Sequence, residues 1–161
     1  MTPRTPTAQT LVPYLAAADA DGLLAFYAEV FGAREVERWT GPDGRVGHAE
    51  LELGGCSLYL ADEHPELGVL APTTRGGTSV SLVLTVEDCD AAVERALAHG
   101  ATLERGPADE EHGGRTAWIL DPSGHRWSLQ APVHVEEEGG DAAGGAQSER
   151  QADGGYTITR S

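Results

Sequence analysis

The chain of 161 residues has no lysine: every one of its 11 basic residues is an arginine. That removes Schiff-base chemistry and any lysine-rich patch for phosphates. Against these stand 26 Asp plus Glu, giving a net charge of −15 and a pI near 4.6. Nucleic acids and anionic membranes both need a positive footprint, so neither is expected as a partner. Neutral or cationic small molecules remain. Cysteine is nearly absent too, with only Cys56 and Cys89 and no C-x-x-C, which excludes a disulfide framework and a cysteine-rich zinc site. Both cysteines read as small core residues. No apolar run approaches the roughly 18 residues of a membrane span, and Met1 to Thr10 lacks the apolar segment of a signal peptide. A cytoplasmic protein is the expectation. No dinucleotide or P-loop glycine spacing surrounds Gly76-Gly77, which reads as a hinge. G-x-S-x-G and a Ser/His/Asp constellation are also missing.

What is present is an internal repeat. Leu15, Asp19 and Asp21 recur as Leu84, Asp88 and Asp90, all at an offset of 69. Each set follows an apolar run and precedes a helix-like stretch closed by Gly-Ala, at Gly32-Ala33 and Gly100-Ala101, where the offset is 68. In the first helix Leu23, Leu24, Phe26, Tyr27, Val30 and Phe31 recur at helical spacing, with Asp19 or Asp21 as N-cap and Gly32 as stop. The second, Cys89 to His99, places Val93, Ala96 and Leu97 on one face, with Asp88 as cap and Gly100 as stop.

Three strand-like segments follow each helix. In the first half these are 34–40, 46–53 and 56–61. In the second they are 102–105, 115–120 and 126–130, with a long loop expected over 106–114. Each half is therefore βαβββ, the first over residues 10–75 and the second over 76–133. The fold class is α+β: two βαβββ modules, each too small to stand alone, forming a curved mixed sheet around a shared cavity. Residues 1–9 read as a flexible N-terminus. Residues 134–161 read as an acidic, Gly-rich, disordered tail, because they cannot bury enough apolar surface to offset their ordering entropy.

A doubled βαβββ unit with Phe26-Tyr27-x-x-Val30-Phe31-Gly32-Ala33, Gly47-His48-Ala49-Glu50-Leu51 and Asp121-Pro122-x-Gly124-His125-x-Trp127 resembles the vicinal oxygen chelate superfamily, which holds glyoxalase I, bleomycin-resistance proteins and extradiol dioxygenases. The resemblance spans residues 10 to 132 and implies a homodimer. It also implies four metal-ligand positions, on the first and last strand of each half, which register at Val12, Tyr59, Ser81 and Ser128. None of these is a His, Glu or Asp, whereas a catalytic metal needs about three such ligands. No metal and no other cofactor are expected.

Gly54-Gly55 reads as a two-residue hairpin turn pairing Leu53 with Cys56, Glu52 with Ser57 and Glu50 with Tyr59. Alternation puts Leu51, Leu53, Cys56, Leu58 and Leu60 on the helix side. The other face holds His48, Glu50, Glu52, Ser57 and Tyr59, and by the resemblance it lines the cavity. His48 and Glu50 form H-x-E on a strand, a pattern that serves a metal pair, an acid/base pair or a plain polar face. An unpaired buried carboxylate costs several kcal/mol, so Glu50 and Glu52 must meet water, a cationic ligand or an arginine such as Arg126. Tyr14 shares the cavity parity on the first strand, and Trp118 opposite Ser128 reads either as core or as a ligand platform. A cage of Tyr14, Tyr59 and Trp118 would suit a planar or cationic guest. Asp121-Pro122-Ser123-Gly124 is a turn that His125 and Trp127 anchor in the core. His64, His99, His112 and His134 read as solvated.

The ligand-binding candidates are thus Tyr14, His48, Glu50, Glu52, Tyr59, Ser81, Trp118, Arg126 and Ser128. The favoured function is metal-free binding of an aromatic or cationic small molecule, as in antibiotic sequestration. The alternative is a metal-independent isomerase, lyase or cyclase in which His48 and Glu50 exchange protons and Tyr59 or Ser128 binds an oxyanion. A glyoxalase-like metalloenzyme with displaced ligands is a third reading.

Overall fold

The computed structural model of the protein describes residues 8–111 and 113–132. The expected tail, His112, His134 and most of the N-terminal segment lie outside the described residues. The first half runs β1 (Tyr14–Ala17), α1 (Ala20–Phe31), β2 (Arg34–Thr40), β3 (Val46–Leu53) and β4 (Cys56–Asp62). A 3-10 turn (Pro65–Leu67) and the short helix α2 (Pro72–Arg75) lead into the second half. That half consists of β5 (Ser81–Thr85), α3 (Cys89–Ala98), β6 (Thr102–Asp109), β7 (Arg115–Leu120) and β8 (Arg126–Ala131). Among these residues no helix is long and apolar enough to cross a membrane.

The helices form for the reasons their sequences suggest. The Asp19 carboxylate accepts from Gly22 N–H at 3.1 Å, satisfying an amide that the first turn of α1 leaves orphaned. At the other end Gly32 adopts φ 70°, a left-handed geometry that lets Ala33 N–H reach the carbonyl of Tyr27. Asp88 caps α3 in the same way through Ala91 N–H. That helix stops at Ala98, one residue short of expectation, and Leu97 is 42% exposed while Cys89 and Ala92 join Val93 and Ala96 in the core.

Two four-stranded mixed sheets result, ordered β1-β4-β3-β2 and β5-β8-β7-β6, with the first strand of each half parallel to the last. The repeat is exact in register: Tyr14 pairs with Tyr59 and Leu15 with Leu60, and 69 residues on Val83 pairs with Ser128 and Leu84 with Leu129. Register shifts also recur, between Glu35 and Glu37 in β2 and between Leu103 and Arg105 in β6. The sheets stay separate and do not close on one another.

One difference from the sequence reading lies in β6, which continues to Asp109 instead of giving way to a loop at residue 106. A second register shift between Arg105 and Ala108 absorbs Gly106 and Pro107, after which Ala108 pairs with Thr116 and Asp109 with Arg115. Only glycine fits at 106. Its φ is 80°, and a Cβ there would meet the carbonyl oxygen of Thr116 at 2.5 Å.

The helix-side faces of both sheets share one core. Leu51, Leu58 and Leu60 belong to the same apolar cluster as Ala117, Ile119 and Leu129, and α1 touches α3. Aromatic contacts cross between the halves: Trp127 lies 5.4 Å from Tyr27 and 4.9 Å from Phe31, centroid to centroid. The Asp121 turn completes the junction. His125 Nε2 donates to the carbonyl of Ala16 at 2.9 Å, and Ala18 N–H donates to Ser123 Oγ at 3.2 Å. Cys89 is buried as expected, but Cys56 is exposed. It sits at the tip of the hairpin beside Gly54-Gly55, lining an open groove instead of the core.

Candidate functional site

With the helices occupying one face of each sheet, no other described element packs on the opposite face. On the first sheet that open face gathers an aromatic cluster around His48. Strand pairing sets Tyr14 beside Tyr59, Tyr59 beside Glu50, and Trp39 beside His48. The imidazole lies 5.3 Å from the Tyr14 ring, 5.1 Å from Tyr59 and 5.2 Å from Trp39. The two tyrosines meet edge-on at 5.9 Å, the arrangement that ring quadrupoles favour.

Hydrogen bonds thread this cluster. Tyr14 Oη lies 2.8 Å from His48 Nδ1, and His48 Nε2 lies 3.2 Å from Glu50 Oε1. In neutral histidine the two bonds agree only if Tyr14 donates to Nδ1 and Nε2–H donates to Glu50. Burial raises the Tyr14 phenol above its ordinary value, keeping it protonated and able to donate. The face stays accessible, since Tyr14 is 56% and Trp39 61% exposed. Trp39 Nε1 donates to Glu37 Oε1 at 2.7 Å, so a second carboxylate borders the rings.

Trp39 and Glu37 are functional candidates that the sequence reading missed. A register shift between Trp39 and Thr40 hides the pairing of β2 with β3 from simple counting back across the Gly41–Gly44 turn. Glu52 shares the β3 strand but is engaged elsewhere, in an exposed ion pair with Arg34.

The second sheet's open face has its own set. Trp118 stands at the repeat position of Glu50, and the Arg105 guanidinium lies 4.5 Å over its ring. Arg126 meets neither Glu50 nor Glu52. It grips Glu104 with two bonds of 2.8 and 3.0 Å. Ser81 is exposed, whereas Ser128 is fully buried and accepts from Gln130 Nε2 at 3.1 Å. An open groove of about 470 Å³ is lined from both halves, by Cys56, Ser57 and Leu58 and by Leu82, Val83 and Leu84, but among the described residues no hydrogen bond, ring contact or pocket joins Tyr14 or Tyr59 to Trp118. The cage of Tyr14, Tyr59 and Trp118 is therefore not assembled within one chain: the two tyrosines are neighbours, and Trp118 belongs to the other sheet.

The four ligand positions implied by the resemblance fare similarly. Val12 lies two residues ahead of β1, Tyr59 is in the first sheet, and Ser81 and Ser128 are in the second. An aliphatic side chain, a phenol and two hydroxyls do not make a donor set for a divalent ion. Nor do any three His, Cys, Asp or Glu among the described residues gather closely enough to hold one.

Known proteins share this architecture. The chain is 41% identical over 126 residues to an uncharacterized protein of Mycobacterium bovis, covering 76% of this chain and 83% of that one. It is 32% identical over 143 residues to the anthracycline biosynthesis protein DnrV of Streptomyces peucetius, covering 71% of this chain and half of that protein. The fosfomycin resistance protein FosX of Listeria monocytogenes has the same fold, with a TM-score of 0.62 at 16% identity over 81% of this chain and 97% of its own. Residues 8–129 match the sequence pattern of the Glyoxalase/Bleomycin resistance protein/Dioxygenase superfamily, to which this chain belongs.

Proposed function

We propose that the protein binds a small aromatic or cationic molecule on the open face of its first sheet, without a metal ion. One observation carries this reading: an imidazole ringed by Tyr14, Tyr59 and Trp39, with Glu50 hydrogen-bonded to it. Aromatic faces attract a cation at roughly 0.5–2 kcal/mol each, and Glu50 and Glu37 add negative potential beside them. Sequestration of an antibiotic-like guest needs affinity and no chemistry. Similarity to a protein named for anthracycline biosynthesis agrees with a guest of that kind. A homodimer, which membership of the family implies, is part of the same proposal. A cytoplasmic location is part of it too, and the net charge of −15 disfavours nucleic-acid and membrane partners.

The test is a titration with benzyltrimethylammonium, following the indole N–H signal of Trp39, in metal-free and metal-supplemented buffer, with sedimentation to give the oligomeric state. Saturable binding that is indifferent to metal supports the reading. One tightly held divalent ion per chain in the purified protein, or no response of Trp39, would overturn it.

A second reading draws on the bond chain itself. Glu50 accepts from His48 Nε2–H and fixes the tautomer, so that Nδ1, once a substrate takes the place of the Tyr14 phenol, can accept a proton from it while the carboxylate steadies the resulting imidazolium. That arrangement suits a metal-independent isomerase, lyase or cyclase. Loss of turnover of an added metabolite in Glu50→Gln, with binding retained, would favour it.

A further inference from the structure

The two halves carry opposite charges at the same place in the repeat. In β2 the register shift ends at Glu37, which pairs with Glu50; in β6 it ends at Arg105, which pairs with Trp118. Both pairs are related by an offset of 68, so one built position is acidic in the first half and basic in the second. Arg105 is also distinctive among the arginines of the described residues. Arg34, Arg38, Arg45, Arg115 and Arg126 pair with carboxylates, and Arg75 and Arg95 donate to backbone carbonyls. Arg105 has neither kind of partner there. Its guanidinium carbon lies over the Trp118 ring, 4.5 Å from the centroid, and among the described residues its five N–H donors meet no hydrogen-bond acceptor.

We propose that Arg105 and Trp118 form a separate recognition site for a planar carboxylate. The site opens on a pocket of about 360 Å³ lined by Ser81, Glu104, Arg105, Trp118 and Arg126. Within it the Glu104 charge is already met by Arg126, so Arg105 supplies the uncompensated positive charge. Glu110 lines the neighbouring pocket with Arg105 without pairing to it. A carboxylate can take two parallel N–H bonds from the guanidinium edge, while its attached ring stacks on exposed parts of Trp118. Bulges on both sides hold the residue: the strand shifts register before and after Arg105, and Gly106 is pinned against the β7 backbone. Such a site goes beyond the cationic site of the first sheet, and it reads the opposite charge.

The experiment uses benzoate and its neutral isostere benzamide, titrated into the full chain while the indole N–H signals of Trp118 and Trp39 are followed by NMR. Benzoate is expected to shift Trp118 saturably and Trp39 little, with benzamide weaker by about tenfold, the scale of one charge-assisted contact. Arg105→Gln should abolish the preference for the acid, and Arg105→Lys should restore part of it. Equal binding of acid and amide, an unchanged preference in Arg105→Gln, or a response confined to Trp39 would each overturn the proposal. Because the first-sheet site is read through Trp39 and a cationic probe, either site can fail without the other.

Discussion

Tyr27 on α1 and Asp121 before β8 come from different halves of the chain, yet the phenol donates to the carboxylate across 2.6 Å at the centre of the fold. Asp121 is 4% exposed, and its oxygens also accept from Trp127 Nε1, Ser123 N–H and His125 N–H, each at 3.0 Å. A buried carboxylate is tolerable only with its acceptor sites filled in this way. Burial and the neighbouring carboxylate push the Tyr27 phenol well above its ordinary value, so it remains a donor. Tyr27→Phe should therefore cost about 1.5–3 kcal/mol, the range for a hydrogen bond to a charged group. Urea denaturation checks this, and an unchanged midpoint would show that the bond contributes nothing.

Trp39→Ala should leave stability within about 0.5 kcal/mol, because the indole is mostly exposed. It should weaken benzyltrimethylammonium binding by on the order of three- to tenfold, as expected for one cation–π contact. Isothermal titration with parallel thermal melts separates the two effects.

The loop carrying Glu66 should respond to acid in a defined direction. A hydrogen bond from Arg45, first among several causes, lowers Glu66 from 4.5 to about 2. A carboxylate with a depressed folded pKa contributes stability that is complete above its unfolded value and fades as pH falls through the folded one. The Arg45 contact should thus persist at pH 4 and be lost approaching pH 2. Arg45→Gln should move the Glu66 midpoint up toward 4.5 in a carbon-13 NMR titration, and a midpoint that stays near 2 would contradict this.

Gly106→Ala should destabilise by about 1–3 kcal/mol, since the added methyl meets the Thr116 carbonyl in a left-handed backbone conformation. It should also loosen Arg105 and reduce the benzoate preference. Calorimetry and the Trp118 signal read the two consequences, and a melting point equal to the parent would refute the first.

Thiol labelling tests the opposite fates of the cysteines. Cys56 is exposed, while Cys89 is 1% exposed and burial raises its thiol above the ordinary value. One maleimide should couple rapidly to native protein at neutral pH and a second only on unfolding. Rapid coupling of both in the native state would mean that α3 does not cover Cys89.

The amino-acid pattern was enough for the βαβββ repeat, the capped helices and the β3–β4 register, because each depends on neighbours a few residues apart. Asp19 caps the turn that begins beside it, Gly54-Gly55 fixes which residues of the hairpin face each other, and period-2 alternation sorts His48, Glu50 and Tyr59 from Leu51, Leu58 and Leu60. Hydroxyl and aliphatic side chains at Val12, Ser81 and Ser128 were equally visible without coordinates. Tertiary structure decided the rest. Bulges in β2 and β6 shift register by amounts that no alternation encodes, and so they alone bring Trp39 to His48 and Arg105 to Trp118. Long-range packing of α1 and α3 between the sheets set Tyr14 and Trp118 on separate faces, because burying the apolar sides of both sheets in one core leaves each polar face open.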